Sequence, residues 1–404
     1  MTILYIAFSC NPYNGTEDRL GWYIPYYASK ENNVIIITKE EQREAIERFR
    51  KESRCDGLTV VYVDIPAIYK KIFKGPLYSG RQSIWNDRAY KEAIRICEMQ
   101  QVDIIHQVTP VEFRSIGKYG SIKDVTYVCG PVGGGESGPR QLEKYMKGGR
   151  LLETVRAFAN EYYKLKYRLD GRIERCNMLL FANRETRDFL ISSEKRAKYQ
   201  IMTELGSLER RANEQKTHDV FTILTGGRLI YRKGFDYLFD AVELIPEKYE
   251  FNIVLVGDGP LYGHLKKRVE NSELLGKRVI MRGRIPHIEM EQEYRQSDLF
   301  FMPSLRETTG SVILEALENG VPVSAMGRYG AAVILDEKCG ILYDLENGIN
   351  PAQTVANVIM KCVDNPEKIR AMMPFCKQRA EELSYARRVE MFKDIYKDAI
   401  EHRL

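Results

Sequence analysis

Hydrophobic and polar positions alternate in two long series along this chain. Short apolar runs, typical of buried strands, are separated by longer segments whose apolar residues recur at helical spacing. In the first series the predicted strands are 1–9, 33–38, 58–63, 102–105, 125–129, 178–182 and 201–205, and in the second they are 220–225, 251–256, 279–281, 298–302 and one that starts at 321. Strands that alternate with helices in this way predict an α/β fold with a doubly wound parallel sheet in each half.

The length of 404 residues also favours two domains, because a single hydrophobic core rarely serves more than about 250–300 residues. Segment 207–219 is polar and shows no apolar period, which is typical of a linker. We therefore predict a first domain at 1–206, a linker at 207–219, a second domain at 220–375 and a C-terminal helix at 376–404. Both domains are expected to be Rossmann-like and to face each other across a cleft.

The stretch 303–323 carries the strongest candidate chemistry. A buried strand ends just before it, and a helix is predicted to open near Gly310 and Ser311, with Thr308 or Thr309 as its cap. The free N–H groups and the dipole at such a helix start favour phosphate. This stretch therefore predicts an anion site.

Two carboxylates flank the predicted helix start. Glu307 lies just before it, and Glu315 lies inside the helix. Carboxylates accept hydrogen bonds from hydroxyl groups, so both are suited to orient a sugar ring. A phosphate on the N–H groups with hydroxyls on both carboxylates describes a nucleotide sugar. The alternative is an ordinary strand-to-helix turn with a solvated Glu307.

Three further loops of the second half, each after a predicted strand, indicate the same ligand. Their candidate residues are Gly227, Arg228 and Lys233 in the first loop, Gly257 and Asp258 in the second, and Arg284 and Ile285 in the third. Two cations beside a glycine turn suit a diphosphate. The second loop leaves room for a base or ribose, and the third presents main-chain groups to a base edge.

The first half offers weaker candidates at the ends of its strands. They are Gly15 and Thr16 after the first strand, His106, Glu112 and Arg114 in and after the fourth, and Gly134 and Gly135 after the fifth. Gly15 either admits a ligand close to the backbone or simply turns the chain, and consecutive glycines suit a flexible lid or an anion nest. His106 is a proton shuttle, a partner for a ligand hydroxyl or a structural histidine. The glycine spacing does not match a dinucleotide fingerprint.

Composition and charge narrow the function classes. A net charge of +5 is small for this length and argues against a nucleic-acid partner. The eight cysteines are scattered without a CxxC pair, which predicts reduced thiols, no zinc site and a cytoplasmic location. No apolar run is long enough for a membrane span, and the first residues lack the basic start of a signal peptide.

The segment 140–175 is predicted to be helical and is basic and rich in Tyr and Leu. One interpretation is a face that makes peripheral contact with an anionic membrane or an acidic acceptor. The other is a solvated helical face with snorkelling side chains. The first interpretation adds the inner face of the membrane as a candidate location.

In these loops the chain resembles the retaining glycosyltransferases of family four, which have the GT-B fold. The resemblance covers nearly its whole length. The most specific segments are 227–234, 256–260 and 307–316. The loops 15–22 and 130–136 look like a bacterial branch of that family that acts in cell-surface polysaccharide assembly.

The resemblance implies a nucleoside diphosphate sugar as donor, with uridine as the expected base, and a carbohydrate or lipid-linked acceptor. The implied catalytic residues are Arg228, Lys233, Glu307 and His106; the donor set is Gly15, Thr16, Gly227, Arg228, Lys233, Gly257, Asp258, Arg284, Ile285, Glu307, Thr308, Thr309, Gly310, Ser311 and Glu315; the acceptor set is Glu112, Arg114, Gly134 and Gly135. No metal or other cofactor is implied, because cations and the helix dipole neutralise the leaving group. The resemblance also implies retention of configuration, and a C-terminal helix at 376–404 that crosses back to the first domain.

Two features depart from the family pattern. Thr309 stands where many members carry an aromatic residue, and the histidine often linked to catalysis would fall near Val108 rather than at His106. A nucleotide-sugar epimerase or hydrolase on the same fold and a catalytically silent subunit of a glycosyltransferase complex stay open as alternatives. A silent subunit would typically have lost one of the predicted catalytic cations or carboxylates, and all are present here. A nicotinamide oxidoreductase is disfavoured by the glycine loop.

Overall fold

A computed structural model of the chain describes residues 1–53, 55, 57–72, 78–191, 198–208 and 219–401. The chain divides into two compact units. Unit 1 comprises residues 1–135, 157–206 and the chain from Leu383 onward, and unit 2 comprises residues 136–156 and 207–382.

Unit 1 is built on a parallel sheet. Its seven strands are β1 (Thr2–Ala7), β2 (Asn33–Lys39), β3 (Leu58–Val63), β4 (Ile104–Thr109), β5 (Thr126–Val132), β6 (Met178–Phe181) and β7 (Tyr199–Ile201). Their order across the sheet is β3-β2-β1-β4-β5-β6-β7. The order reverses between β1 and β4, so the topological switch point of unit 1 lies there.

Unit 2 repeats this plan. Its six parallel strands are β8 (Phe221–Gly226), β9 (Phe251–Val256), β10 (Val279–Gly283), β11 (Leu299–Met302), β12 (Val323–Met326) and β13 (Gly340–Tyr343). Their order is β10-β9-β8-β11-β12-β13. The switch point of unit 2 therefore lies between β8 and β11.

Helices connect the strands in chain order. They are α1 (Thr16–Ala28), α2 (Arg43–Ser53), α3 (Ala67–Ile72), α4 (Tyr78–Met99), α5 (Arg150–Leu169), α6 (Arg184–Leu190), α7 (Phe235–Glu243), α8 (Tyr262–Asn271), α9 (Glu273–Arg278), α10 (His287–Arg295), α11 (Ser311–Glu318), α12 (Ala331–Ile334), α13 (Pro351–Val363), α14 (Pro366–Arg370), α15 (Met373–Glu382) and α16 (Tyr385–Glu401). Within the described ranges, no helix is both long and apolar enough to cross a membrane.

The central strands are mostly apolar because helices cover both faces of a parallel sheet. In β1, residues Ile3 to Ala7 are all fully buried, and in β8 Ile223 and Leu224 are fully buried. Each unit has its own hydrophobic core. The predicted α/β class with two Rossmann-like domains is confirmed.

Two segments lie in a different unit from their neighbours in sequence. Segment 136–156 belongs to unit 2, because Leu142 is fully buried in the unit 2 core and the Tyr145 hydroxyl donates to Asp240 Oδ2 at 2.7 Å. The predicted boundary at residue 206 placed this segment in the first domain. The described chain from Leu383 onward lies in unit 1, where Lys198 Nζ donates to Asp398 Oδ1 at 2.8 Å.

Smaller differences concern individual elements. The last strand of the first half is Tyr199–Ile201 rather than 201–205, and β13 was not predicted from the sequence. The predicted helix at 376–404 is divided, because α15 ends at Glu382 and α16 begins at Tyr385. Most of the predicted linker, residues 209–218, lies outside the described residues.

Candidate functional site

Two loops of unit 2 meet at its switch point. The first leaves β8 and passes through a 3-10 turn at Tyr231–Lys233, and the second leaves β11 and leads to α11. The Leu305 N–H donates to the Arg232 carbonyl at 2.8 Å. At Gly234, φ is +74° and an added Cβ would lie 2.1 Å from the Pro303 carbonyl oxygen. Only glycine permits this approach, so Gly234 allows the two loops to pack against each other.

Glu307 is the centre of a charge cluster between these loops. Its carboxylate accepts a hydrogen bond from Lys233 Nζ and another from Arg232 Nη1 at 3.4 Å. The residue is 8% exposed. Burial raises the pKa of the Glu307 carboxyl, but the charges of Lys233 and Arg232 outweigh burial, so the pKa lies below its ordinary value. Glu307 is therefore an ionised, oriented carboxylate beside two cations.

Arg228 lies on the same loop as Lys233 but is exposed. Its guanidinium forms no hydrogen bond or ion pair with any residue in the described part of the chain. Gly227, just before it, has a φ of +128°. An exposed fork of donors after the first strand of a sheet is suited to a phosphate ligand.

The start of α11 carries no side-chain cap. Its N-cap residue is Gly310, with φ of +85°, so neither Thr308 nor Thr309 has the predicted capping role. Thr308 instead donates from Oγ1 to Glu136 Oε1 at 2.8 Å, and Thr309 is 2% exposed. The N-cap residue therefore offers no side-chain acceptor to the N–H groups of the first turn, which begins at Ser311.

The loops after β8, β9 and β10 are joined by backbone hydrogen bonds. The Gly257 N–H donates to the Gly283 carbonyl at 2.8 Å, and the Leu229 N–H donates to the Asp258 carbonyl at 2.9 Å. At Gly257, φ is +138° and an added Cβ would lie 1.9 Å from the Gly227 carbonyl oxygen. The predicted residues Gly227, Gly257 and Asp258 thus lie side by side.

The remaining donor candidates line the same edge of the sheet. Arg284 is exposed and Ile285 is half-buried directly after β10. Glu315 is half-buried on α11. Burial of Tyr294 raises the pKa of its hydroxyl well above the ordinary value, and the negative charges of Glu315 and Glu318 raise it further. Tyr294 is therefore a neutral hydroxyl beside Glu315.

A segment that sequence analysis did not connect to this site supports its second loop. Glu136 is 1% exposed and accepts the hydrogen bond from Thr308. Arg306 Nη1 and Arg156 Nη2 lie 3.6 and 3.5 Å from Glu136 Oε1. Glu136 therefore ties segment 136–156 to the loop that carries Glu307.

The same segment also reaches the first loop. Glu153 Oε1 accepts from the Tyr231 hydroxyl at 2.8 Å and from Arg306 Nη2 at 2.9 Å. Burial favours the neutral form of Glu153, but the Arg306 charge and these hydrogen bonds outweigh it and lower the pKa. We call Glu136, Glu153, Arg156, Tyr231 and Arg306 the support cluster. Its two sequence signals are that Glu136 follows the glycine run and that Arg306 adjoins Glu307.

In unit 1, the predicted acceptor residues lie near its own switch point. Glu112 forms an ion pair with Arg114, and an added Cβ at Gly134 would lie 3.5 Å from Glu112 Cγ. The Gly134 carbonyl accepts from Asn160 Nδ2 at 3.0 Å, and the Gly135 N–H donates to Thr186 Oγ1 at 3.1 Å. The glycine run is thus hydrogen-bonded to its surroundings.

Gly15 and Thr16 mark the start of α1. Gly15 is its exposed N-cap residue with an ordinary φ of −59°, and no atom lies within 4 Å of an added Cβ there. The close approach in this region occurs instead at Gly21, where an added Cβ would lie 1.9 Å from the Ser9 carbonyl oxygen. The structure therefore requires a glycine for packing at Gly21 and not at Gly15.

His106 is fully buried in β4, with both ring nitrogens bonded inside unit 1. Nε2 lies 2.8 Å from the Gly130 carbonyl and Nδ1 lies 2.7 Å from the Tyr396 hydroxyl. A carbonyl only accepts, so Nε2 carries the proton and Nδ1 accepts from Tyr396. Burial lowers the pKa of His106 to about 4, which keeps it neutral. The geometry supports the structural alternative, and we assign no catalytic role to His106.

The burial of His106 gives an expected pH dependence. In the unfolded chain the histidine takes up a proton near its ordinary pKa, whereas in the folded chain it stays neutral down to about pH 4. The folded state therefore loses about 3 kcal/mol of stability as the pH falls from about 7 to 4. Urea unfolding of the wild type and of His106→Gln across this range measures it: the variant should show the smaller loss on acidification. Parallel pH profiles would contradict the assignment.

The second half of the chain matches a known family. Residues 207–382 match the profile of the family described as Glycosyl transferases group 1. The matched segment includes every predicted donor residue except Gly15 and Thr16.

Two individual relatives are similar to this chain at 25% and 29% sequence identity. The chain is 25% identical over 284 residues, 66% of its length, to "Alpha-monoglucosyldiacylglycerol synthase" of Streptococcus pneumoniae. It is 29% identical over 189 residues, 45% of its length, to "UDP-Gal:alpha-D-GlcNAc-diphosphoundecaprenol alpha-1,3-galactosyltransferase" of Escherichia coli. These matches span 62% and 46% of the relatives' own lengths.

A solved structure shows the same fold. HepE of Anabaena, in complex with UDP, superimposes with a TM-score of 0.60 at 15% identity, over 98% of this chain and all of that one. The predicted GT-B fold is confirmed. Residues 207–382, which carry Lys233, Glu307 and the start of α11, are therefore similar to the family of glycosyl transferases group 1.

Proposed function

We propose that this protein transfers a hexose-type sugar from a uridine diphosphate sugar to a carbohydrate or lipid-linked acceptor, with retention of configuration and without a metal. One observation carries the proposal: the ionised Glu307 lies against Lys233 and Arg232, beside the uncapped start of α11, at the switch point of unit 2. Open α/β sheets bind their ligands at this point.

The chemistry follows from the charges. Negative charge develops on the diphosphate as the sugar leaves, and preorganised donors stabilise it. We assign that role to Lys233, to the exposed Arg228 and to the N–H groups at the start of α11. Glu307 then accepts hydrogen bonds from hydroxyls of the donor sugar, and Glu315 from those of the ribose.

The names of two similar proteins support the proposed base and the proposed acceptor. The Escherichia coli relative is named for UDP-Gal and a diphosphoundecaprenol acceptor, and the HepE structure contains UDP. On this basis we propose uridine as the base and a lipid-linked or carbohydrate acceptor. For the acceptor side we propose Glu112, Arg114, Gly134 and Gly135 of unit 1, with Gly15 and Thr16 as a second contact to the donor.

The test is nucleotide release from purified protein with UDP-, GDP- and ADP-linked sugars, with and without a bacterial membrane extract. We expect release of UDP from one uridine sugar, stimulated by the extract and unaffected by EDTA. The anomeric configuration of the product, determined by NMR, should match that of the donor.

Other outcomes separate the alternatives. Turnover that needs no acceptor would identify an epimerase or hydrolase. Absence of release from every donor, with no thermal stabilisation by any of the three nucleoside diphosphates, would identify a silent subunit. Loss of activity in EDTA would overturn metal independence alone.

A further inference from the structure

Helix α5 carries its apolar side chains on the outside. Seven of them are 56–78% exposed. One is Leu152, and the other six are Leu151, Val155, Phe158, Tyr162, Leu165 and Leu169, which we call the apolar face of α5. Side chains spaced alternately four and three residues apart lie on one side of a helix. The apolar face is therefore a continuous stripe along the whole helix.

The opposite side of α5 makes the contacts to the protein through polar and aromatic side chains. Asn160 is 3% exposed and donates to the Gly134 carbonyl, and Tyr167 is fully buried. At the start of the helix, Glu153 and Arg156 belong to the support cluster. A helix that only covers a core buries its apolar side and exposes its polar side. In α5 the leucine and valine side chains are on the exposed side instead.

An exposed stripe of this extent indicates a partner. Single exposed apolar residues are common on protein surfaces, but contiguous large patches mark interaction sites. The phenyl and phenol groups of Phe158 and Tyr162 stand in the middle of the stripe. Aromatic side chains of this kind are enriched where a protein meets the boundary between water and lipid.

The charged side chains of α5 indicate which kind of partner the apolar face binds. Apart from Glu153 and Arg156, the charged side chains of α5 are Arg150, Lys164, Lys166 and Arg168 against the single carboxylate of Glu161. A second copy of this chain, docked through the same face, would bring these cations against each other. An anionic bilayer surface attracts them instead. The cation excess therefore favours lipid over a second copy.

We propose that the apolar face of α5 docks the protein onto an anionic lipid bilayer, with the helix lying in the interface. The apolar side chains enter the boundary between headgroups and acyl chains, and the flanking cations contact the headgroups. Docking depends on the exposed apolar side chains and the cations of α5, and it does not require the proposed transfer activity.

The first test is co-sedimentation of the full-length protein with vesicles. We expect binding to vesicles of equal parts phosphatidylglycerol and phosphatidylcholine, weakening with added salt, and little binding to pure phosphatidylcholine. The double variant Phe158→Glu/Leu165→Glu should lower the vesicle partition coefficient at least about tenfold. The matched control is Phe375→Glu, because Phe375 is also exposed on a helix, at 43%. It should bind as the wild type does.

The second test locates the helix. Both natural tryptophans, Trp22 and Trp85, are fully buried, so they report little on the surface. In Phe158→Trp, the new indole should shift its emission to shorter wavelength when phosphatidylglycerol vesicles are added. Phe375→Trp should show no shift.

Three outcomes would overturn the proposal. The first is equal vesicle binding by the wild type and the folded double variant, as judged by unchanged circular dichroism. The second is absence of wild-type binding to either vesicle type. The third is a wild-type dimer that the double variant converts to a monomer, with no emission shift on vesicles, because that result assigns the face to a second copy.

Discussion

Replacing Lys233 with alanine is expected to lower kcat/KM for sugar transfer by about 100- to 1,000-fold, the loss typical of removing one charge-stabilising donor from an active site. The protein should remain folded. Lys233 is largely buried, with 14% of its side chain exposed, and pairs with Glu307. Nucleotide release and UDP binding by calorimetry measure the loss.

Two effects contribute to this expected loss. The first is the missing cation beside the departing diphosphate. The second acts through Glu307, whose low pKa depends on Lys233 and Arg232 working against burial. Without Lys233 that pKa rises, so the carboxylate is protonated at a higher pH as the solution is acidified. The residual activity of the variant should therefore fall at a higher pH than that of the wild type.

A double-mutant cycle separates the two effects. If Lys233 only holds Glu307 in place, Lys233→Ala should cost nothing further in a Glu307→Gln background. If Lys233 also contacts the diphosphate, most of the loss in UDP affinity should persist there. Lys267→Ala is the matched control, because Lys267 is an exposed lysine of unit 2. Near wild-type activity in purified Lys233→Ala would contradict the proposed donor site.

Much of the fold could be predicted because it depends on local patterns. Apolar runs such as 33–38 and 251–256 are strands in the structure, since a parallel sheet covered on both faces demands continuous apolar strands. Once strands and helices alternate, polar loops after the strands fall at one edge of each sheet. Lys233 and Glu307 lie 74 residues apart in sequence, and this rule alone predicts that they come close.

The rest depended on contacts that no local pattern encodes. Arg232 and Lys233 are adjacent cations on one turn, and only the position of the Glu307 loop shows that both reach the carboxylate. The sequence alone places His106 near a predicted crevice, and only the structure shows that α16 brings Tyr396 against it. Such a contact joins residues 290 positions apart.

Segment 136–156 is the clearest case of this limit. The sequence around Gly135 reads as the end of a strand in the first half of the chain, and only the burial of Leu142 shows that the segment packs in unit 2. The role of Glu136 therefore could not be predicted. Helix α5 was recognised as basic, but the orientation of its apolar face depends on what packs against Asn160 and Tyr167.

The support cluster leads to the second large expected effect. Replacing Glu136 with alanine is expected to lower the free energy of unfolding by about 3 kcal/mol, because it removes the acceptor of Thr308 and one of the two carboxylates that a pair of largely buried arginines share, the other being Glu153. The two arginines are Arg306 and Arg156, whose side chains are 12% and 16% exposed. Urea unfolding measures the change. Glu143→Ala removes an exposed carboxylate of the same segment and should change stability by less than about 0.5 kcal/mol.

Stability alone would not show that Glu136 serves the donor site. Glu136→Gln keeps an oxygen that accepts from Thr308 but removes the charge, so it should unfold with a smaller penalty of about 1–3 kcal/mol. If Glu136 positions the Glu307 loop, Thr308→Val should raise KM for the donor sugar more than it lowers kcat, and Thr308→Ser should restore the wild-type value.

The pairing of the two residues gives the decisive measurement. Glu136 and Thr308 are 172 positions apart in sequence and joined by one hydrogen bond of 2.8 Å. In a cycle of Glu136→Ala and Thr308→Val, each of which removes the hydrogen bond, residues that act together should show a coupling of about 0.5–3 kcal/mol in UDP binding as well as in unfolding. Coupling in unfolding with none in UDP binding would make Glu136 a stabilising residue of unit 2 that has no part in orienting Glu307. Coupling in both would establish segment 136–156 as a working part of the donor site, although it is separated from the rest of unit 2 in sequence.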